Sequence, residues 1–298
     1  MQKVLVIIGP TGVGKTDLSL KLAKELNGEI ISGDSIQVYQ GLDIGSAKAT
    51  LEEREMVKHH LIDIMSAKDV YSVADFQNKG REAINEIAKA NHLPIVVGGT
   101  GLYIRSLLYD YVFTKEEDED DEFIELSNEE LYAILEKEDP EALKKIHINN
   151  RRRLLRAYNV LLKTGIPFSK HIAEQKHELL YDAKIICLTM DREALYQRID
   201  MRVDLMMKEG LIDEIKKLLA SGVTFDDQAM QGIGYKEVRG YFEGDKTLDE
   251  CIAEVKLNTR HFVKKQYTFF RHQFEVEWRQ KNEEEAIIKE CQEWLMQN

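Results

Sequence analysis

The chain contains few cysteines and no long apolar run. Its 298 residues include only three cysteines, Cys187, Cys251 and Cys291, which lie far apart and form no C-x-x-C pair. This spacing argues against a disulfide framework and against a cysteine-based zinc site, and it favours a reducing cytosol. No stretch approaches the length of a membrane span, and the first strand-like run leads directly into a glycine-rich loop. We therefore expect a cytoplasmic protein without a signal peptide or a membrane contact.

Negative charge outweighs positive charge in the sequence. The 53 acidic residues exceed the 41 lysines and arginines, which gives a net charge of -12 at pH 7. Taken alone, this balance argues against a nucleic-acid partner. However, residues 116–122 are all acidic, a pattern typical of a solvated loop. The rest of the chain is only mildly acidic, so local basic faces can still bind nucleic acid.

Residues 9–16 form a complete G-x-x-x-x-G-K-[ST] phosphate-binding loop. An apolar, β-branched run at 3–8 precedes the loop and a helical pattern at 15–26 follows it, which is the context that the motif requires. Backbone N–H groups and the helix dipole would bind a diphosphate or triphosphate, Lys15 would add positive charge, and Thr16 would offer a hydroxyl to Mg²⁺. A chance glycine-rich turn is the alternative. The predicted phosphate-binding residues are Gly9, Pro10, Thr11, Gly12, Val13, Gly14, Lys15 and Thr16.

The first hundred residues alternate between strand and helix patterns. Strands are predicted at 3–8, 29–32, 61–64 and 93–97, and the pattern at 73–90 is helical. This alternation favours a parallel sheet with helices on both faces, here an α/β core of the P-loop NTPase type. Ligands of such sheets bind at the carboxyl ends of the strands.

The pattern changes after Val112, where the acidic run and three helical stretches follow without an intervening strand. We expect these helices to begin after Ser127, at Pro140 and at about Asn150. A strand pattern returns at 183–188. Later helices are predicted at 192–207, 211–220 and 248–273. The sequence therefore predicts a core of residues 1–112 and 183–298 with an all-helical insertion at 113–182.

Polar side chains follow two of the predicted strands. Asp34 comes directly after the second strand, where a carboxylate can accept a proton from a nucleophile beside the phosphate compound. An aspartate that starts an Asx-turn is the alternative. Thr100 lies in a second glycine-rich segment, Gly98–Gly101, which is equally consistent with a plain tight turn. Asp63 is a weak candidate for a second magnesium contact.

Three sets of basic residues are candidates for binding phosphate. Arg198 and Arg202 lie four residues apart on one helix, although surface arginines more often pair with neighbouring acids. Arginines 151–153 and Arg156 begin the third helix of the insertion. The third set falls within roughly 80° of one helix surface, opposite an apolar arc, and such stripes bind nucleic-acid backbones unless they are merely solvated. This stripe consists of Lys256, Arg260, Lys264 and Arg271, and the apolar arc consists of Val255, Phe262, Val263, Phe269 and Phe270.

Six motifs in this order resemble those of the bacterial tRNA dimethylallyltransferases, also called tRNA isopentenyltransferases, and the resemblance covers nearly the whole chain. Besides the phosphate-binding loop, they are Asp34–Tyr39, Val97–Tyr103, Asn150–Arg153, Gln231–Glu237 and Lys264–Arg271. One departure from the family pattern is Phe269, where a tryptophan is usual. The resemblance implies transfer of a dimethylallyl group from dimethylallyl diphosphate to N6 of adenosine 37 in tRNA, with Mg²⁺ as the cofactor.

The resemblance also implies roles for individual residues. The phosphate-binding loop would bind the diphosphate, Arg202 would contact it, Asp34 would act as the general base, and Thr100 would lie near the donor and the target base. The insertion would grip the anticodon stem-loop, and we expect a monomer. The tRNA contacts implied or predicted are Asp34, Ser35, Ile36, Gln37, Arg152, Arg153, Leu154, Leu155, Arg156, Lys256, Arg260, Lys264 and Arg271. The alternatives are an adenylate isopentenyltransferase, a small-molecule kinase and a non-catalytic RNA-binding protein.

Overall fold

A parallel six-stranded sheet is the centre of the computed structural model, which describes residues 1–111, 125–174 and 178–297. The strand order is β3-β2-β4-β1-β5-β6, and all neighbouring strands run parallel. The strands are β1 (Lys3–Ile8), β2 (Gly28–Ser32), β3 (His59–His60), β4 (Leu93–Gly98), β5 (Asp182–Thr189) and β6 (Trp278–Gln280). The predicted α/β class is confirmed, and the acidic run at 116–122 lies outside the described residues.

The register brings three loops to one edge of the sheet. Ile8 at the end of β1 pairs with Gly98 at the end of β4 on one side and with Cys187 in β5 on the other. Ser32 at the end of β2 pairs with Val97 in β4. The residues that follow these strands therefore begin at the same edge, as expected for ligand sites in parallel sheets.

One predicted strand is wrong. The sequence placed a strand at 61–64, whereas β3 lies two residues earlier and contains only His59 and His60. The reason lies in the backbone, because Leu61 and Asp63 have φ angles of 61° and 56°, which no strand tolerates. The short edge strand β6 was not predicted from the sequence.

Helices cover the sheet in the larger of two compact units, which comprises Met1–Leu108 and Leu180–Asn298. These helices are α1 (Lys15–Glu25), α2 (Leu51–Met56), α3 (Val73–Lys89) and α4 (Gly101–Leu108) before the insertion. After it come α9 (Arg192–Glu209), α10 (Leu211–Ala220), α11 (Arg239–Glu243), α12 (Leu248–Gln273) and α13 (Glu284–Met296). The bounds of α10 and α12 match the prediction, whereas α9 continues two residues further, to a left-handed C-cap at Gly210.

The hydrophobic core of this unit lies between the central strands and the flanking helices. Leu5 and Ile7 of β1 are fully buried and belong to the same apolar cluster as Leu18 and Leu22 of α1. Trp294 of α13 closes this cluster. Val13, inside the phosphate-binding loop, is also fully buried, so the loop is anchored in the core. Within the described ranges, no helix combines the length and the apolar character needed to cross a bilayer.

The second compact unit spans Tyr109–Leu179, so its bounds lie four and three residues earlier than the predicted 113–182. Its described part contains four helices rather than three. They are α5 (Asn128–Glu138), α6 (Pro140–Leu143), α7 (Arg151–Thr164) and α8 (Phe168–Glu174). As predicted, α5 begins directly after Ser127, whose side chain forms a capping box, and α7 ends at a left-handed C-cap, Gly165.

The core of the second unit corrects two predicted tRNA contacts. Leu154 and Leu155 of α7 are 0% and 8% exposed, and both pack in an apolar cluster with Leu131 and Leu135 of α5. Their side chains are therefore unavailable to RNA, because the helical repeat turns them away from the exposed arginines that precede them.

Candidate active site

Glycines allow the phosphate-binding loop to lie against β5 and then enter α1. Gly12 and Gly14 have φ angles of 85° and 102°, and Gly14 is the left-handed N-cap of α1. A Cβ atom on Gly9, whose φ is 147°, would lie only 2.7 Å from the backbone oxygen of Leu188. The conformation therefore depends on residues without side chains, which leaves the backbone open to a phosphate.

Lys15 is held above the loop by two backbone carbonyls. Its Nζ donates to the oxygen of Gly9 at 3.0 Å and to that of Pro10 at 2.9 Å. The pKa of Lys15 is lowered to about 8, mainly by burial and also by the nearby charge of Arg202, whereas the carboxylate of Asp34 acts in the opposite direction. Thr16 is exposed at the first turn of α1 and lines the same cavity as Lys15.

The loop after β4 packs tightly against the loop after β2. The backbone N–H of Gly33 donates to the oxygen of Val97 at 2.7 Å, and a Cβ atom on Gly98 would lie 2.5 Å from the oxygen of Gly33. Gly98 and Gly99 line the cavity. Thr100 does not, and its carbonyl instead accepts from Ile104 at the start of α4.

Asp34 forms a turn and also lines the cavity. Its Oδ1 accepts from the backbone N–H groups of Ile36 at 2.8 Å and Gln37 at 3.3 Å, which is the predicted turn. At the same time Asp34 lines the same cavity as Lys15. In the part of the chain that the structure describes, no hydrogen bond to its Oδ2 is found, so this oxygen is available to a ligand.

The side chain of Gln37 joins the Asp34 turn to a second segment of the cavity wall. Its Oε1 accepts from Ser32 at 2.9 Å, and its Nε2 donates to the carbonyls of Ser46 and Ala47 at 3.3 and 3.2 Å. Ser46 and Ala47 also line the cavity, although the sequence gave no reason to expect them there.

A buried carboxylate from α10 holds the segment that carries Ser46 and Ala47. Glu214 is 9% exposed and accepts from three successive backbone N–H groups, those of residues 43, 44 and 45, at 2.9, 2.7 and 3.3 Å. The hydroxyl of Tyr235 donates to the same carboxylate at 2.8 Å. Tyr235 belongs to the Gln231–Glu237 motif, so this motif acts as a brace for the cavity wall.

Arg198 and Arg202 project from α9 into the same cavity. Burial lowers the pKa of Arg202, the charge of Asp34 raises it, and Arg198 lowers it. Neither arginine forms an ion pair within the described residues, so the usual surface pairing does not apply to them. With Lys15 they give three positive charges around one cavity, a suitable environment for an anion of two linked phosphates.

The cavity encloses about 950 Å³ including its open mouth. Beyond the charged residues, its wall includes the side chains of Ile30 and Val97 and the ring of His59. The Nδ1–H of His59 donates to the carbonyl of Val57 at 2.7 Å, and burial lowers the pKa of the ring, which favours its neutral form. The predicted residues that line the cavity are Thr11, Gly12, Gly14, Lys15, Thr16, Asp34, Gln37, Arg198 and Arg202. Among the predicted residues of the loops after β1, β2 and β4, those that do not line it are Gly9, Pro10, Val13, Ser35, Ile36 and Thr100.

The donor set fits a magnesium ion that obtains most of its ligands from phosphate and water. In the described ranges no group of three or more histidine, cysteine or carboxylate side chains could hold a metal alone. Thr16 and Asp34 instead offer a hydroxyl and a carboxylate to the same cavity. Asp63 is excluded as a further ligand, since it pairs with Lys48 and Arg54 at 2.6 Å each.

The predicted basic stripe on α12 is divided, which corrects the sequence interpretation. Lys256 pairs with Asp204 of α9 at 2.6 Å, and Arg260 pairs with Asp200 of the same helix. Only Lys264 and Arg271 are exposed, and Arg271 lies over the rings of Tyr267 and Trp278. Of the four cations that the sequence predicted for RNA binding, two are therefore already paired with aspartates and two, Lys264 and Arg271, are exposed. In the second unit Arg152 and Arg153 are exposed, and Arg156 stacks over Phe168.

Known proteins are similar to this chain in both sequence and fold. A model of the IPP transferase family matches residues 37–273. A tRNA dimethylallyltransferase of Bacillus subtilis (strain 168) is 50% identical over 284 residues, which cover 93% of this chain and 90% of that protein. The solved structure of the full-length tRNA isopentenylpyrophosphate transferase of Bacillus halodurans has a TM-score of 0.76 at 41% identity, over 99% of this chain and 97% of that chain.

A more distant structure has the same fold. A eukaryotic dimethylallyltransferase described as acting on tRNA has a TM-score of 0.81 at 34% identity, over 91% of this chain and 70% of that chain. Because the family model spans most of the sequence and the bacterial relatives match nearly its whole length, the chain belongs to the IPP transferase family.

Proposed function

We propose that this chain is a tRNA dimethylallyltransferase, which transfers the dimethylallyl group of dimethylallyl diphosphate to N6 of adenosine 37 in tRNA and releases diphosphate. The observation that carries the proposal is the cavity in which the phosphate-binding loop, two arginines and the carboxylate of Asp34 meet. Relatives that match 93% of the chain are named for this activity. An adenylate isopentenyltransferase and a small-molecule kinase are the alternatives that an experiment must separate from it.

The positive side of the cavity suits the leaving group. As the bond between the allylic carbon and oxygen breaks, negative charge develops on the diphosphate. The N–H groups of the loop, Lys15 and Arg202 are positioned to stabilise that charge, and Thr16 is the residue that we assign to Mg²⁺. When bound, Mg²⁺ would neutralise part of the charge on the diphosphate.

Asp34 suits the acceptor side. The N6 amine of adenine is a poor nucleophile because its lone pair is delocalised into the ring, so it needs a base as the new bond forms. Oδ1 of Asp34 is held by two backbone N–H groups, which fixes the carboxylate and leaves Oδ2 to take the proton. A base within a structured anticodon loop must leave its stack to reach this carboxylate.

Residues around the cavity and in the second unit are suited to contact the tRNA. The Ser35–Gln37 turn adjoins Asp34, and Arg152 and Arg153 present exposed guanidinium groups for phosphates of the anticodon stem-loop. We assign Thr100 to the surroundings of the donor and the target base through its neighbour Gly99, which lines the cavity. The enzyme would act as a monomer.

Mass analysis of nucleosides tests the proposal. Unmodified tRNA is incubated with the protein, dimethylallyl diphosphate and Mg²⁺, digested, and analysed for N6-dimethylallyladenosine, with AMP, ADP and ATP as parallel acceptors. We expect modified adenosine only from tRNA, and loss of product when EDTA replaces Mg²⁺. Labelling of AMP but not tRNA would identify an adenylate isopentenyltransferase, and ATP turnover without prenyl transfer would identify a kinase. Either result would refute the proposal.

A further inference from the structure

One buried carboxamide joins the two glycine-rich loops of the cavity. Oε1 of Gln266, on α12, accepts from the backbone N–H of Thr11 at 3.0 Å, and its Nε2 donates to the carbonyl of Gly99 at 3.0 Å. Gln266 is 4% exposed, so water cannot readily replace either bond. Thr11 belongs to the phosphate-binding loop, Gly99 to the loop after β4, and both residues line the cavity.

The chemistry of the amide makes this arrangement specific. A backbone N–H requires an acceptor and a carbonyl requires a donor, so only one orientation of the amide satisfies both. Replacement of Gln266 by glutamate would remove the donor, and replacement by methionine would remove both the donor and the acceptor. Gly99 is required in turn, because a Cβ atom at that position would collide with Nε2 of Gln266.

The helix that carries Gln266 is fixed on both sides of it. Val263 and Phe270, one turn before and after, are 1% and 0% exposed. The hydroxyl of Tyr267 lies 3.1 Å from Oγ1 of Thr189, at the end of β5. Phe269 packs against Gly101, at the start of α4. The part of α12 that carries the amide is therefore held in place by packing on both sides of Gln266.

We infer that Gln266 is a positioning residue that fixes the separation of the diphosphate-binding loop and the loop after β4. The inference rests on the proposed function, in which the first loop binds the leaving group and the second adjoins the donor and the target base. It assigns to Lys264–Arg271 a role beyond contact with RNA. The exposed and buried residues of this segment would therefore have different roles. Lys264 and Arg271 face outward and are available to RNA, whereas Gln266 is buried and binds the two cavity loops.

The test measures binding of inorganic pyrophosphate with Mg²⁺ by titration calorimetry, for the wild-type protein and the variants Gln266→Met and Gln266→Glu. Gln228 supplies the controls Gln228→Met and Gln228→Glu, because its exposed carboxamide also bridges a backbone N–H and a carbonyl, both of Tyr71, but does not line the cavity. Thermal melting of each variant checks folding.

We expect Gln266→Met to weaken pyrophosphate binding by about tenfold or more, since a buried loop N–H loses its acceptor. Gln266→Glu should bind poorly at about pH 8 and recover toward the wild type near pH 5, because a protonated carboxyl again donates to the carbonyl of Gly99. The affinities of the Gln228 variants should follow the wild type at every pH.

The outcomes separate this inference from the proposed function. Wild-type binding together with unchanged binding by Gln266→Met, or a Gln266→Glu profile parallel to the wild type, would overturn the role of Gln266 alone. If Gln266→Met does not fold, the pH profile of Gln266→Glu decides. Failure of the wild-type protein to bind pyrophosphate would refute the proposed use of the loop, and the role of Gln266 with it.

Discussion

The pKa of Lys15 predicts that affinity for the donor falls in mildly alkaline solution. Burial and the neighbouring Arg202 lower this pKa to about 8. A bound diphosphate would favour the charged ammonium, so the pKa must rise in the complex. Below pH 8 Lys15 is already protonated and binding needs no additional proton. Above pH 8 the free protein holds a neutral amine, and binding must take up a proton from solution.

The size of the effect follows from this linkage. With a pKa near 8, about nine-tenths of the free protein carries the Lys15 charge at pH 7, and about one-tenth at pH 9. The affinity for dimethylallyl diphosphate should therefore be roughly tenfold lower at pH 9 than at pH 7, a loss of about 1.4 kcal/mol. Proton uptake on binding should rise from about 0.1 to about 0.9 per molecule over the same range.

Calorimetry in two buffers of different ionisation enthalpy measures both quantities. Lys15→Arg is the matched control, because arginine keeps its charge throughout this range. The ratio of wild-type to control affinity cancels any titration of the ligand itself. A constant ratio between pH 7 and pH 9, or the same proton uptake in both proteins, would refute the reasoning.

Three further predictions concern the base, the basic helix and the brace. Asp34→Asn retains the oxygen that accepts from the turn, so turnover should fall by roughly 10²–10⁴-fold while tRNA binding persists; near-normal single-turnover rates would exclude Asp34 as the base. Lys264→Ala should reduce the salt dependence of tRNA affinity, whereas Lys256→Ala should change it little, because Lys256 is already paired with Asp204; filter binding over a salt series distinguishes them, and equal slopes would contradict the assignment. Glu214→Gln places an amide donor among backbone N–H groups and should lower the free energy of unfolding by about 1–3 kcal/mol in urea melts; an unchanged midpoint would show that the brace does not stabilise the fold.

The sequence predicts best where the determinants are local. The glycines and Lys15 of the phosphate-binding loop, the capped helix α12 and the alternating strands follow from patterns a few residues long. The strand predicted at 61–64 was wrong because left-handed backbone angles at Leu61 and Asp63 leave no reliable signature in non-glycine residues.

Long-range partners account for the other differences. Arg260 pairs with Asp200 and Glu214 binds the N–H groups of residues 43–45, contacts that span 60 or about 170 positions. No local pattern encodes such pairings. Gln266 was detectable in principle, since a polar residue on the same helical face as Val263 and Phe270 demands a buried partner. The identity of that partner still required the fold.

The two ends of the inserted unit pair with each other in a short antiparallel bridge, in which the N–H of Asp110 donates to the carbonyl of Glu178 at 3.1 Å. The backbone N–H of Leu180 donates to the carbonyl of Leu108 at 2.9 Å. The chain therefore leaves and re-enters the larger unit at neighbouring residues, so that the insertion begins and ends at one place, as a surface loop does. Each doubling of a flexible loop's length costs only about 0.6 kcal/mol of closure entropy. Mutation can therefore lengthen, shorten or recharge this segment with little penalty to the sheet, so the RNA contacts that we propose for it could evolve separately from the chemistry of the cavity.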